Sequence, residues 1–368
     1  MRKKFVFVTV SLLAAVLLSG CGGPVRGATW PGMTADDNTA YLADGSLVYA
    51  VNLKDGRELW HYPENANSKL VFYSTPVITP DGLVIVGSSG NDHRLIAINP
   101  NDINPETNSP VEAWTFTEAE DHWVAAPLII GNRLFAPNTD GNLYVLRLDD
   151  DQSAKVPVKV VELNGRLWAQ PVTDGKRVFV TSLDHSVYAV DVETYEILWH
   201  KDLTGAVPGA PVLGPDGMLY VGSFASQLER FDPATGEHKS MLDTDGEVWG
   251  TPSILGNTLY FGDLNGKFYS FNINDEKINW SPIQSDGPIT ANPLVLDESI
   301  LVVTESGSVY EVDQEGRSIL WSQPPGGKIY TAPVAAGDLI LIAPLETDAY
   351  LYAYGKDGRL AWKFPAEK

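Results

Sequence analysis

The stretch "AQPVTDGKRVFVTSLDHSVYAVDVETYEILW" (residues 169–199) decides the fold. It opens on small side chains before Pro171 and a short apolar pair. A turn at Asp174-Gly175 follows, then the β-rich run "RVFVTS". A second turn at Asp184-His185 leads into "SVYAVDV", and after a polar turn the last run ends in Trp199. Short alternating runs of Val, Tyr, Phe and Ile bounded by Gly, Asp and Asn read as strands joined by hairpins. The connections are too short for a helical crossover, so the four strands form one antiparallel sheet.

The same phrase recurs along the chain. The proline step appears as "STPVI" at Pro76, "AAPLI" at Pro127, "GAPVL" at Pro211, "TPSIL" at Pro252, "ANPLV" at Pro293 and "TAPVA" at Pro333, with a weaker copy, "TWPGM", at Pro31. The spacings run from 40 to 51 residues. Each is followed by a turn and a β-rich run such as "MLYVGS" or "TLYFGD" and then by "SLVYAVN", "NLYVLRL", "KFYSFNI", "SVYEVDQ" or "YLYAYGK". Four strands in about 40 residues, repeated, is the signature of a β-propeller, an all-β ring of four-stranded blades. The count predicts eight blades in one domain over residues 29–368. Innermost strands crowd the axis, which accounts for the small residues before each proline, among them Ser74, Ala126, Gly209 and Ala291. Proline lacks a ladder donor and suits a strand start.

The phrase at residues 186–199 resembles the tryptophan-docking repeat of the quinoprotein-type, or PQQ-like, propellers. Tyr49-Ala50-Val51, Tyr188-Ala189-Val190-Asp191 and Thr235-Gly236 match it piecewise. The resemblance implies that the tryptophan ending each outermost strand docks on the neighbouring blade. That role falls to Trp60, Trp114, Trp199, Trp280, Trp321 and Trp362. The third and fifth blades carry "VKVVEL" and "HKSML" instead, so weaker contacts are expected there.

Three residues before the repeat proline stand Tyr73, Trp168, Trp249 and Tyr330, with Trp123 one place further back. This position enters the innermost strand, so the five aromatics are expected to ring the mouth of the central channel as a binding face. Aromatic anchors on an acidic surface suit a protein partner. The segment "NPNDINPETNSP" (99–110) reads as a solvent loop, and Asp149-Asp150-Asp151 as a solvated turn without the spacing of a calcium loop. Of the histidines, His93 and His185 occupy matching hairpin turns. No metal and no cofactor are expected, and no catalytic residue is assigned.

The amino-terminal residues carry a different message. Arg2, Lys3 and Lys4 precede a 14-residue apolar run, Phe5 to Leu18. A membrane span needs roughly 20 residues, whereas a secretory signal has this length. Leu17, Ser19, Gly20 and Cys21 resemble the bacterial lipobox, and Cys21 is the one cysteine in the sequence. The resemblance implies a signal peptide at 1–20, lipidation of Cys21 and a tether at 21–28. Two acyl chains, at ~0.8 kcal/mol per buried methylene, anchor a protein stably. The seven residues between Cys21 and the first strand reach at most ~25 Å. Gly22 rather than Asp follows the cysteine, so retention in an inner membrane is not signalled. The expected location is extracytoplasmic, on the outer membrane where the cell has one and otherwise on the outer face of the cytoplasmic membrane.

The formal charge is −21, from 26 Lys and Arg against 47 Asp and Glu. So acidic a surface repels nucleic acid and anionic lipid heads. By architecture the chain resembles the propeller lipoproteins of the bacterial outer-membrane β-barrel assembly machinery. The reading preferred is a non-catalytic, lipid-anchored, monomeric scaffold for an envelope protein partner. The alternatives are a solute- or glycan-binding sensor using the aromatic mouth and, less favoured, a PQQ-dependent dehydrogenase. The dehydrogenases carry a vicinal cysteine pair, which one cysteine cannot make.

Overall fold

A computed structural model of the protein describes residues 30–150, 152–321 and 323–365. The signal sequence, Cys21, the tether and Asp151 lie outside the described residues. Eight sheets follow one another along the chain, each in sequential antiparallel order, here lettered A to D from first to last strand. Blade 1 holds Gly32–Ala35, Thr39–Asp44, Leu47–Asn52 and Glu58–Tyr62, and blade 8 holds Val334–Ala336, Leu339–Ile342, Leu351–Gly355 and Leu360–Phe364. The fold is the eight-bladed, all-β propeller that the repeat predicts. In blade 6 the outer lane is split into Lys277–Ile278 and Ile283–Gln284, both paired with strand C.

Strand alternation builds the core. Successive side chains of a strand face opposite sides of the sheet, and here each side meets another blade. In strand B of blade 4, Val178 and Val180 pack toward blade 3, while Phe179 packs toward blade 5. Eight apolar clusters result, one between each pair of neighbouring blades. The cluster between blades 8 and 1 includes Leu42, Val51, Leu341 and Leu351. Among the described residues the ring therefore closes by side-chain packing, with no strand exchanged. Near the axis it also closes by polar links, Thr331 Oγ1 donating to Pro31 O at 2.5 Å.

The tryptophans ending strand D lie against the next blade's C–D turn. Trp199 faces Gly236, Trp280 faces Gly316, Trp321 faces Gly358 and Trp362 faces Gly56. Trp199 Nε1 donates to Pro233 O at 3.0 Å and Trp362 Nε1 to Leu53 O at 2.8 Å. All four glycines have φ between 70° and 81°, a conformation that other residues adopt only at a cost. Across the sheet, Ala50, Ala97, Ala189 and Ala353 pair with Trp60, Trp114, Trp199 and Trp362, and the register shifts immediately after each. An alanine at this place of strand C, in "YAV" at Ala50 and Ala189, thus marks a bulge that re-aims the outer strand.

Where the tryptophan or the glycine is missing, other chemistry fills the corner. Blade 3 has no tryptophan, and blade 4 places Tyr195 at its turn with φ 60°. Arg133 reaches across to it, donating to Val192 O at 2.8 Å and pairing with Glu193 at 2.7 Å. Blade 5 has none either, and Glu276 of blade 6 pairs with both Arg230 and Lys239. Trp114 meets the buried Lys155, whose ammonium lies 5.5 Å from the ring and pairs with Asp150. The acidic run is therefore not merely solvated: Asp149 pairs with Arg147 and Asp150 with Lys155.

The segment 99–110 is not a free loop. Strands C and D of blade 2 extend through it as Leu95–Asn104 and Ser109–Phe116. This long hairpin packs on the outer strand of blade 1, with Asn108 Nδ2 donating to Leu59 O and Ser109 Oγ to His61 O. Ile103, apolar within a polar run, is what the extension tucks against the Trp60 cluster.

Candidate functional site

In an antiparallel A–B–C–D blade the D–A connections and the B–C hairpins share one face of the ring, and the A–B and C–D turns share the other. On the first face each D–A connection runs between two B–C hairpins. The segment entering blade 3 is typical: Trp123 N donates to Ser88 O of the blade 2 hairpin, and Thr139 N of the blade 3 hairpin donates to His122 O. The hairpins are braced from within. Tyr144, Tyr188 and Tyr352 of strand C donate to Asp140, Asp184 and Asp348, four residues earlier, at 2.6, 3.1 and 2.5 Å. Burial, with the carboxylate beside it, pushes the Tyr144 phenol up, so it remains a donor.

Three of the five aromatics expected at the channel mouth meet there. Trp168 and Trp249 lie 6.1 Å apart between ring centres. Tyr330 joins them through Trp30, on which it stacks at 5.4 Å. Trp30 also contacts Trp249 at 5.5 Å and Trp168 at 6.3 Å, both edge to face. Tyr73 lies further out, on the wall of a cavity of about 330 Å³ that Trp30 and Trp168 also line. Asp121, His122 and Arg166, with Ser89 and Thr139, make up the polar part of that wall.

Trp123 does not belong to this face and corrects the expectation. It is 1% exposed, packed with Phe116 and Tyr144 between blades 2 and 3, and its Nε1 donates to His93 O at 2.9 Å. Its place one residue further from the proline turns the side chain outward along the blade interface. Trp30 is the residue the repeat alignment passed over, because it directly precedes Pro31. The signal is there on inspection: every other repeat has Thr75, Ala126, Gln170, Ala210, Thr251, Asn292 or Ala332 at that place. A ring this large at the axis fills the channel where the other seven side chains leave room.

Two polar features stand out at the mouth. The indole N–H of Trp168 is buried and has no hydrogen-bond partner among the described residues. An unpaired buried donor is costly, so an acceptor arriving at the mouth gains from it. Asp121 and His122 of the cavity wall come together with His93 of the neighbouring blade's hairpin. Burial opposes ionisation of Asp121, yet hydrogen bonds from His122 outweigh it and hold the carboxyl below its usual range.

The chain matches the PQQ_2 family, described as outer membrane protein assembly factor BamB, over residues 19–162, 152–281 and 284–368. The chain belongs to this family. Among curated relatives it is similar to BamB of Shewanella oneidensis, 27% identical over 58% of the chain and 57% of that protein. BamB of Burkholderia pseudomallei is 24% identical over 83% of the chain and 84% of that protein. The chain spans about half to two thirds of the first relatives it matches. The crystal structure of BamB from Moraxella catarrhalis superposes with a TM-score of 0.67 at 20% identity, covering 91% of this chain and 94% of that one. The computationally designed Ika8 protein reaches 0.66 at 13% identity, covering 92% and 96%. A natural and a designed protein match equally well, so these superpositions speak for the ring and not for its use.

Proposed function

We propose that this protein is a lipid-anchored, extracytoplasmic scaffold that docks an envelope protein through the aromatic mouth, in outer-membrane protein assembly. The observation that carries the reading is the convergence of Trp30, Trp168, Trp249 and Tyr330 at one end of the channel, beside a cavity. Family membership supports it, since the related proteins are named as assembly factors. Half-buried aromatics with an unpaired indole donor are the kind of residue that dominates binding energy in protein interfaces. The acidic surface makes bare contact with anionic lipid unfavourable, which leaves the acyl chains on Cys21 as the membrane contact.

A sugar platform fits less well, because Trp30 and Tyr330 stack on each other and cover their own faces. The test is photo-crosslinking in intact cells. A crosslinker replacing Arg166 or Trp249 should capture an envelope protein, and one at Glu196, on the C–D face, should not. Equal capture from both faces refutes the docking face. Absence of acyl chains on the wild-type protein refutes the anchor.

A further inference from the structure

His93 belongs to the B–C hairpin of blade 2, and Asp121 and His122 to the segment entering blade 3. Their ligand-capable atoms all lie within 4.8 Å of one another. The two imidazoles are 5.1 Å apart between centres and inclined by 49°. Two imidazoles and a carboxylate suit zinc and its transition-metal neighbours, whereas calcium and magnesium call for all-oxygen shells.

The backbone around the trio is already fixed. Trp123 Nε1 holds His93 O at 2.9 Å, Thr139 Oγ1 accepts from His122 N at 2.9 Å, and Asn138 Nδ2 donates to Asp121 O at 3.0 Å. His93 itself is held at φ 44°, in the left-handed region that few residues other than glycine adopt, histidine being among the more tolerant. A tetrahedral shell with metal–ligand bonds of about 2.0–2.1 Å sets donor atoms about 3.4 Å apart. The three ligand atoms lie at most 4.8 Å apart, and the touching Asp121–His122 pair has to part to reach that spacing. Asp121 Oδ1 and His122 Nδ1 are already in direct contact, and a cation between them takes the place of the hydrogen they share. The His122 and Asp121 side chains are 46% and 29% exposed, so an ion reaches them from solvent.

We infer that His93, Asp121 and His122 bind one divalent transition-metal ion, zinc by preference, which ties blade 2 to blade 3 and keeps one coordination position open at the wall of the mouth cavity. A water or a donor side chain of a docked protein completes the shell. The site stands on its own geometry and does not depend on the docking reading.

The test uses the full chain in detergent, stripped with a chelator and dialysed against zinc. One zinc per chain should be retained, and cobalt in its place should give the visible absorption of a tetrahedral centre. His93→Asn, chosen because Asn tolerates positive φ, and His122→Gln should each weaken zinc binding by about tenfold or more. His185→Asn changes the matching turn of blade 4, at φ 79°, and should leave binding unchanged. Circular dichroism and melting of the metal-free variants check that they fold. No stoichiometric zinc in the wild type overturns the site. So does zinc binding by His93→Asn and His122→Gln at wild-type strength, or an equal loss in His185→Asn.

Discussion

Gly236→Ala isolates the contact that joins one blade to the next. Gly236 has φ 70°, and a Cβ there would lie 2.7 Å from Trp199 Cδ2 and 2.8 Å from Cε3. No real methyl group sits that close, so the indole must move. Trp199 is buried, stacks on Phe231 with rings 3° from parallel and donates to Pro233 O at 3.0 Å. Displacing it sacrifices part of a hydrogen bond, about 1 kcal/mol, and part of a stacked pair, about 0.5–1.5 kcal/mol. The left-handed backbone adds about 1–2 kcal/mol for any residue with a Cβ. Gly217 supplies the control: φ is 77°, and nothing lies within 4 Å of its Cβ position. Gly217→Ala should therefore show the backbone cost alone, and Gly236→Ala should exceed it by about 2 kcal/mol in urea unfolding at neutral pH. Repeating both in a Trp199→Ala background should bring the two costs together. An excess that is absent in the wild-type background, or that survives removal of Trp199, refutes the account of tryptophan docking.

Three further outcomes are expected. Cys21→Ser should leave the melting temperature of the purified protein unchanged while abolishing incorporation of labelled fatty acid, and a misfolded Ser variant sinks the anchor. Glu229 is buried in blade 5, with Oε2 unpaired, and burial pushes its carboxyl up. A carboxyl raised in the folded state favours folding below its unfolded value and loses that advantage as pH climbs through the raised one. Glu229→Gln should thus raise the melting temperature at pH about 7.5 and leave it nearly unchanged below about pH 4, and a gain at acid pH alone contradicts this. Lys155 is fully buried beside Trp114, so thermal melts should show Lys155→Ala less stable than Lys155→Met, whose chain still fills the space, and equal losses in the two variants would show that the lost ion pair to Asp150 accounts for the whole effect.

The ring was legible in the sequence because its period is short and every repeat spells the same local chemistry. Proline, hairpin turn and the "YAV" phrase each report a backbone event within a few residues. Alanine in "YAV" pairs with the tryptophan across the strand, and the bulge after it belongs to the same hairpin. What could be read only in part lies between blades. Gly56 and Trp362 are at opposite ends of the chain and meet only when the ring closes. Tyr195, Glu276 and Lys155 each substitute for one partner of a pair, and nothing local says which. The mouth shows the same limit. Trp168, Trp249 and Tyr330 are equivalent positions of the repeat and could be found by alignment. Trp30 breaks the repeat, and the meeting of His93 with Asp121 and His122 joins residues from two blades whose spacing has no motif.

The two faces of the ring divide the work. On the C–D face, glycine or a substitute receives a tryptophan or an ion pair from the blade before, and the indole N–H of Trp199, Trp280, Trp321 and Trp362 is bonded there, while that of Trp114 is buried under Lys155 without a hydrogen-bond partner among the described residues. On the opposite face the D–A segments carry aromatics that are only half buried, an indole donor without a partner, and a cavity. Under the docking proposal, stability is built on the C–D face and recognition on the face where half-buried aromatics meet beside a cavity. The chain enters the first blade at Trp30, on the face of the aromatic mouth. A lipid at Cys21, with ten residues between it and the first strand at Gly32, would hold that face within ~36 Å of the bilayer. The same short tether that anchors the protein would then aim its unfilled face at whatever is embedded beside it, and a longer tether inserted after Gly22 should weaken capture at Arg166 while leaving the fold and the lipid untouched.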